Sequence, residues 1–189
     1  MSGMLDQLRQ AVWAANLELP GGNLANLKGS GIANLLRSKL VYGFVSWPTE
    51  IERRVLMDHI EYTMENTPKW YPFAPNGVDA NQAGINAYHE LGLALGEAMV
   101  VLDDLVARGH TLDEYGSMVF ALDSDSDFFE TIAKYRAARR MWAKIAKERY
   151  GATKKSSMAL KLGLRTSGLS LQMQRPLANT ARVTLQILE

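Results

Sequence analysis

The chain has 189 residues, 47% hydrophobic and 22% charged, which suffices for one domain with a sizeable buried core. Its 21 basic and 20 acidic residues leave a formal charge of +1, a balance that argues against a nucleic-acid binder and against an acidic tail. Without cysteine, disulfides, thiolate metal sites and a cysteine nucleophile are excluded, and no run reaches the roughly 18 apolar residues of a membrane span.

The opening MSGMLDQLRQAVWAAN reads as an amphipathic helix from Met4 to about Asn16. It lacks the basic start and long apolar run of a signal peptide, so a soluble, cytoplasmic chain is expected. Glu18–Ser30 is dense in breakers, and the GGN at 21–23 and GSG at 29–31 read as linkers, since neither carries the fingerprint of a phosphate loop. Ile32–Phe44 begins with helical character and gathers β-branched and aromatic residues at its end. Pro48 suits a helix start, and Glu50–Glu65 repeats apolar residues at helical spacing until Asn66, Thr67 and Pro68 stop it. Trp70–Val78 is aromatic and apolar but holds two prolines, which predicts a short or irregular strand. Ala83–Arg108 is a long helix closed by Gly109. Along it Gly84, Gly92 and Gly96 suggest close packing against a neighbour.

Ser117–Leu122 then reads as a strand. Asp127–Tyr150 follows as the most strongly patterned helix, with Phe128, Ile132, Tyr135, Trp142 and Ile145 forming its apolar stripe. Lys134, Arg139, Arg140, Lys144 and Lys147 are placed mostly elsewhere on its surface, Asp127 caps its start and Gly151 its end. Ser156–Leu164 is a further strand, Thr166–Gly168 a turn and Pro176–Leu188 a last helix. Strands alternating with helices predict a parallel sheet of the α/β class, although an eight-fold barrel takes about 250 residues.

In parallel α/β folds, working groups sit at the carboxyl ends of strands. Those ends present Asp79, then Asp123 and Asp125, then Arg165, a set able to hold an acyl-phosphate, a carboxylate or a metal. The plainer reading of Asp123, Asp125 and Asp127 is helix capping. DSDSD at 123–127 opens like a calcium loop but lacks the glycine at position six, and the required glutamate falls on Lys134. His59, His89 and His110 occur singly and are read as surface or half-buried residues, and the basic face of 134–149 as a solvated helix face.

One resemblance runs along the whole chain. FFETIAKYRAARRMWAKI closely resembles the helix of methylmalonyl-CoA mutase and other cobalamin-dependent acyl-CoA mutases that reads much like IAKLRAARRLWA. RTSGLSLQMQRPLANTARVT (165–184) is similar to the family's QTSGWSLTxQDPYNNxVRT, LKGSGIANLL (27–36) to its LTGTIQNDIL, TPKW (67–70) to its MPKW, and NGVDANQAG (76–84) to its SGYHxREAG. The matches are collinear. They imply a partial (β/α)8 TIM-type barrel of about three to four β/α units. Residues 1–189 would form a single segment of the acyl-CoA mutase barrel domain, a fragment without a cobalamin-binding domain, and Met1 need not be a natural start.

The departures from the family pattern concentrate at functional positions. The family's Tyr-His pair, which meets substrate and cobalamin, falls on Val78 and Asp79; its substrate-contacting Gln falls on Ile32; its carboxylate-gripping Arg falls on Tyr42. Its CoA-contacting Arg lands on Ser117 or Met118. Of its RxHxQTSG run only the first base survives in kind, as Lys161, with Gly163 for the His and Arg165 for the Gln. The resemblance therefore implies Asp79 as the one catalytic candidate, and Lys161, Arg165 and Tyr42 as candidate substrate contacts. The pattern is most like a non-catalytic small subunit of a heterodimeric mutase. Its partners would be a catalytic subunit or the remainder of the barrel, with acyl-CoA possible and nucleic acid and membrane not expected; adenosylcobalamin would be bound by a partner or a further domain. An active mutase with a retuned site and a stand-alone α/β binding module are the alternatives.

Overall fold

The computed structural model describes residues 11–15, 21–33, 35, 39, 43 and 48–188. Among the described residues four strands, β1 (Gly29–Ala33), β2 (Trp70–Phe73), β3 (Val119–Ser124) and β4 (Lys161–Thr166), run parallel. β1 pairs with β2 and β3 with β4. A bridge just past β2 joins the two pairs: Ala121 N donates to Pro75 O at 2.8 Å, and Gly77 N donates to Ala121 O at 3.0 Å. The strands thus stand side by side in chain order.

A helix follows each strand: α1 (Thr49–Asn66), then α2 (Val78–Gln82) with α3 (Ala87–Ala107), α4 (Leu112–Tyr115), α5 (Phe128–Glu148), α6 (Lys155–Met158) and α7 (Pro176–Ile187). One contiguous core lies between sheet and helices. Leu56, Met57 and Ile60 of α1, Leu95, Val101 and Leu105 of α3, Phe120 and Leu122 of β3, and Tyr135, Ala138 and Trp142 of α5 all belong to it. Strand alternation directs Phe120, Leu122 and Ser124 to the helices, and Ala121 and Asp123 to the other face.

Local signals account for the boundaries. Asn86 caps α3 by accepting from His89 N, Thr111 and Glu114 form a reciprocal capping box on α4, and Asp127 caps α5 by accepting from Glu130 N at 3.1 Å. Gly109 and Gly151 take positive φ past the ends of α3 and α5.

Several expectations are corrected. The GSG at 29–31 is strand β1, not a linker. A Cβ on Gly29 would lie 2.2 Å from the Trp70 ring, so the close approach of β2 demands glycine there. Ile32 and Ala33 belong to that strand and not to a helix. The helix expected from Ala83 breaks at Gly84, whose φ is +108°, and restarts at Ala87. Ser156–Met158 lies in α6; β4 begins only at Lys161, because Asp113 accepts from Thr153 N and Lys154 N and holds that connection in a turn. Gly84, Gly92 and Gly96 meet nothing within 4 Å of an added Cβ, so no neighbour packs on them among the described residues. Of the expected first helix, 11–15 is helical and the remainder lies outside the described residues. Most of Ile32–Phe44 past residue 33, including Tyr42, lies outside them as well. Among the described residues, no helix is long and apolar enough to cross a membrane.

Candidate functional site

The carboxyl ends of the strands are organised by two glutamates seven residues apart on α3, a spacing that puts both on one helix face. Glu97 accepts from Leu35 N, just past β1, at 2.8 Å, and from Asn76 N, just past β2, at 3.1 Å. Glu90 accepts from Asp123 N on β3 at 2.7 Å, from Lys134 Nζ at 2.7 Å and from Asn81 Nδ2 at 3.3 Å. One helix therefore ties three neighbouring strand ends through carboxylates that take up backbone donors the parallel ladder leaves open. Lys134 also donates to Asp123 O, to which the Tyr135 hydroxyl donates at 2.9 Å. Gly77 gives Glu90 room: a Cβ there would lie 2.4 Å from Glu90 Cγ.

Asp123 stands at the centre of this rim and is wholly buried. Gln82 Nε2 donates to its Oδ2 at 3.4 Å, whereas Oδ1 has no hydrogen-bond partner among the described residues. Burial, with the Glu90 carboxylate adding to it, pushes its carboxyl up to about 6. The ionised form is thus disfavoured in the fold. The associated loss of stability is fully present above pH 6 and fades as pH falls toward the ordinary carboxylate range. Asp123→Asn is expected to raise the unfolding free energy at pH 8 by roughly 1–2 kcal/mol after screening is allowed for, with the gain vanishing near pH 4. Urea titrations at the two pH values check this; an equal effect at both would contradict it.

Asp79 is the second residue of α2 and half-exposed. Its Oδ2 accepts from Asn76 Nδ2 at 3.0 Å, and Asn76 Oδ1 in turn accepts from Val78 N, so the aspartate closes the turn that leads into α2. Val78 is 0% exposed and offers no polar atom. Arg165 is exposed near the end of β4 and is the register partner of Asp123, so the structure does bring these two expected residues side by side. Lys161 lies at the other end of β4, where its Nζ donates to Tyr71 OH at 2.7 Å and sits 5.0 Å over that ring.

Of the expected caps, only Asp127 caps α5. Asp125 accepts from Ser126 N, and Asp123 is a buried strand residue. Lys134, expected on the helix surface, is buried, because its ammonium pairs with Glu90. His59 is half-buried, with burial pulling its imidazole down to about 4; His89 is exposed; and His110 Nε2 lies 3.2 Å from Glu61. Glu90, Glu97 and Gln82 had no place among the expected site residues. A signal for the two glutamates exists in the sequence: they interrupt the apolar stripe Leu91, Ala94, Leu95, Ala98 and Val101 at a spacing of seven.

Chemically, the rim holds a buried acid able to keep or lose a proton near neutrality and an exposed guanidinium beside it. The positions taken by Val78 and Gly163 offer no polar side chain.

The family model described as methylmalonyl-CoA mutase matches residues 7–189. The chain is 30% identical over 179 residues to the 2-hydroxyisobutanoyl-CoA mutase large subunit of Aquincola tertiaricarbonis, covering 94% of this chain and 32% of that protein. It is 32% identical over 167 residues to the methylmalonyl-CoA mutase large subunit of Porphyromonas gingivalis, covering 88% and 23%, and 28% identical over 183 residues to the ethylmalonyl-CoA mutase of Methylorubrum extorquens, covering 94% and 27%. The chain thus spans between 23% and 32% of the length of these relatives.

Proposed function

The chain belongs to the methylmalonyl-CoA mutase family, and from that premise we propose that it is a segment of the family's (β/α)8 barrel which supports a catalytic mutase subunit rather than performing the isomerisation itself. Four parallel strands in sequential order with helices packed on one face support the barrel reading. So does the apolar surface around β4 and α7, where Met173 and Leu177 are each 88% exposed and Leu185, Ile187 and Leu188 are also exposed, as expected where further barrel units or a partner would pack. Residues 1–189 would then be one stretch of a single barrel domain.

The observation that carries the supporting role is the use made of the rim. The position matched to the family's imidazole is Asp79, whose carboxylate is engaged by Asn76 within a turn, and its neighbour Val78 is sealed in the core. An anionic, turn-closing side chain and a buried valine do not fit the contacts that adenosylcobalamin and an acyl-CoA carboxylate would need. Adenosylcobalamin is accordingly assigned to a partner or to a further domain. On this reading Asp79→Ala leaves the turnover of the complex with a catalytic mutase subunit within about twofold of its original value. A fall in kcat of about two orders of magnitude would overturn the supporting role.

A second reading, an active acyl-CoA mutase with an altered site, draws on Asp123, a buried acid titrating near neutrality beside the exposed Arg165. It requires that the assembled protein bind adenosylcobalamin, and absence of the cobalamin absorbance after gel filtration rules it out. A cytoplasmic location and association as a heterodimer belong to the proposal as well.

A further inference from the structure

Past the carboxyl end of β3 the chain builds a second cavity, lined by none of the residues that surround Asp123. Ser126 and Phe128, on either side of the α5 cap Asp127, stand across from α7, and with Arg182, Leu185 and Gln186 of that helix they line a cavity of about 240 Å³. The three α7 residues are three and four positions apart, which puts them on one helix face. The volume is below the roughly 300 Å³ at which pockets for drug-sized ligands begin, so a ligand there is small.

Two of the lining groups keep unused hydrogen-bonding capacity. Gln186 is 1% exposed, and its Nε2 donates to Ser167 O at 3.3 Å and to Ser170 Oγ at 3.2 Å. Those acceptors fix the orientation of the amide, and its Oε1 is left buried with no hydrogen-bond partner among the described residues. A buried amide oxygen without a donor is a cost that a ligand removes. Arg182 donates to Asn179 Oδ1 at 3.0 Å, an oxygen that also accepts from Gln172 N, and it pairs with no carboxylate among the described residues. Most of its guanidinium fork is therefore open. Asp125, the acid next to Ser126, is turned onto its own loop, where it accepts from Ser126 N at 2.7 Å.

The lining selects the chemistry. One planar guanidinium is matched by one carboxylate, which it can grip with two parallel bonds. The amide oxygen one turn away calls for a donor beside that carboxylate. A hydroxyl meets it at lower cost than an ammonium, whose charge would be desolvated against a neutral oxygen. Phe128 and Leu185 make the remaining wall apolar. We propose that this cavity binds a small α-hydroxy carboxylic acid with a short aliphatic side chain. Its carboxylate sits on Arg182, its hydroxyl donates to Gln186 Oε1, and its side chain packs between Phe128 and Leu185. The site is built by α7 and the start of α5, and it does not depend on the supporting role proposed above.

The test is calorimetric titration of the full chain with α-hydroxyisovalerate, and separately with isovalerate, which lacks the hydroxyl, and with valine, which carries an ammonium in its place. Saturable binding of the hydroxy acid with a Kd of about 1 mM or tighter is expected. Isovalerate should bind about tenfold weaker or worse because it leaves Gln186 Oε1 unmatched, and valine likewise because its charge is desolvated. Arg182→Gln, its fold checked by circular dichroism, should lose about tenfold or more in affinity for the hydroxy acid. Three results would each overturn the proposal: no saturable binding of the hydroxy acid at millimolar concentration, either analogue binding within about twofold of it, or Arg182→Gln binding within about twofold of the original chain.

Discussion

Glu90→Ala is expected to lower the unfolding free energy by about 3–5 kcal/mol, because it strands the Lys134 ammonium inside the protein. Glu90 is 0% exposed and the Lys134 side chain 3%, so water cannot replace the lost carboxylate without opening the rim. The same substitution leaves Asp123 N without its acceptor and removes a partner from Asn81. An unpaired buried ion costs more than the pair ever contributed, since most of the loss is desolvation with no compensating attraction.

The companion experiment separates that penalty from the worth of the pair itself. Glu90→Leu combined with Lys134→Met removes both charges and should recover a large part of the deficit. Urea denaturation of the original chain, the single variant and the double variant gives all three values. A single variant within about 1 kcal/mol of the original would show that the pair is not sealed from water.

The second large effect lies in the core. Trp142→Ala should cost about 3–5 kcal/mol, since Trp142 is fully buried and fills the space between α5, β3 and the α6 connection. Its ring meets Phe120 edge-on with centroids 5.0 Å apart, and its Nε1 donates to Ser157 O at 3.1 Å. Alanine therefore leaves a cavity and an unmatched carbonyl together. Trp142→Phe restores most of the packing and leaves only the carbonyl, so it should cost about 1–3 kcal/mol. Thermal unfolding of the pair discriminates: equal losses would mean that the hydrogen bond, not the volume, dominates.

The supporting role proposed above would call for a carboxyl rim tied independently of the residues at the matched positions. On that proposal the strand ends must stay in register whether or not the chain turns over substrate. Glu90 and Glu97 do that with hydrogen bonds to the backbone, which any strand sequence supplies.

By itself the sequence determined what depends on neighbouring residues. Helical periodicity placed Glu50–Glu65 within α1 and Asp127–Tyr150 around α5; capping chemistry identified Asp127 and Gly151; and collinear motifs led to the family. Those signals are local because amphipathic spacing and orphan backbone groups are written within a few residues of each helix end. Tertiary structure alone decided which polar residues go inside. Lys134 has the composition of a surface lysine, and it is buried only because Glu90, 44 residues earlier, meets it. GSG has the composition of a linker, and it is a strand only because Trp70 packs where a side chain would stand. Asp123 has the placing of a helix cap, and it becomes a buried acid because Glu90 and Lys134 hold its backbone while Gln82 reaches only one of its oxygens. In each case a partner far along the chain sets the energy of burying a charge or bringing two backbones close, and no local pattern carries that information.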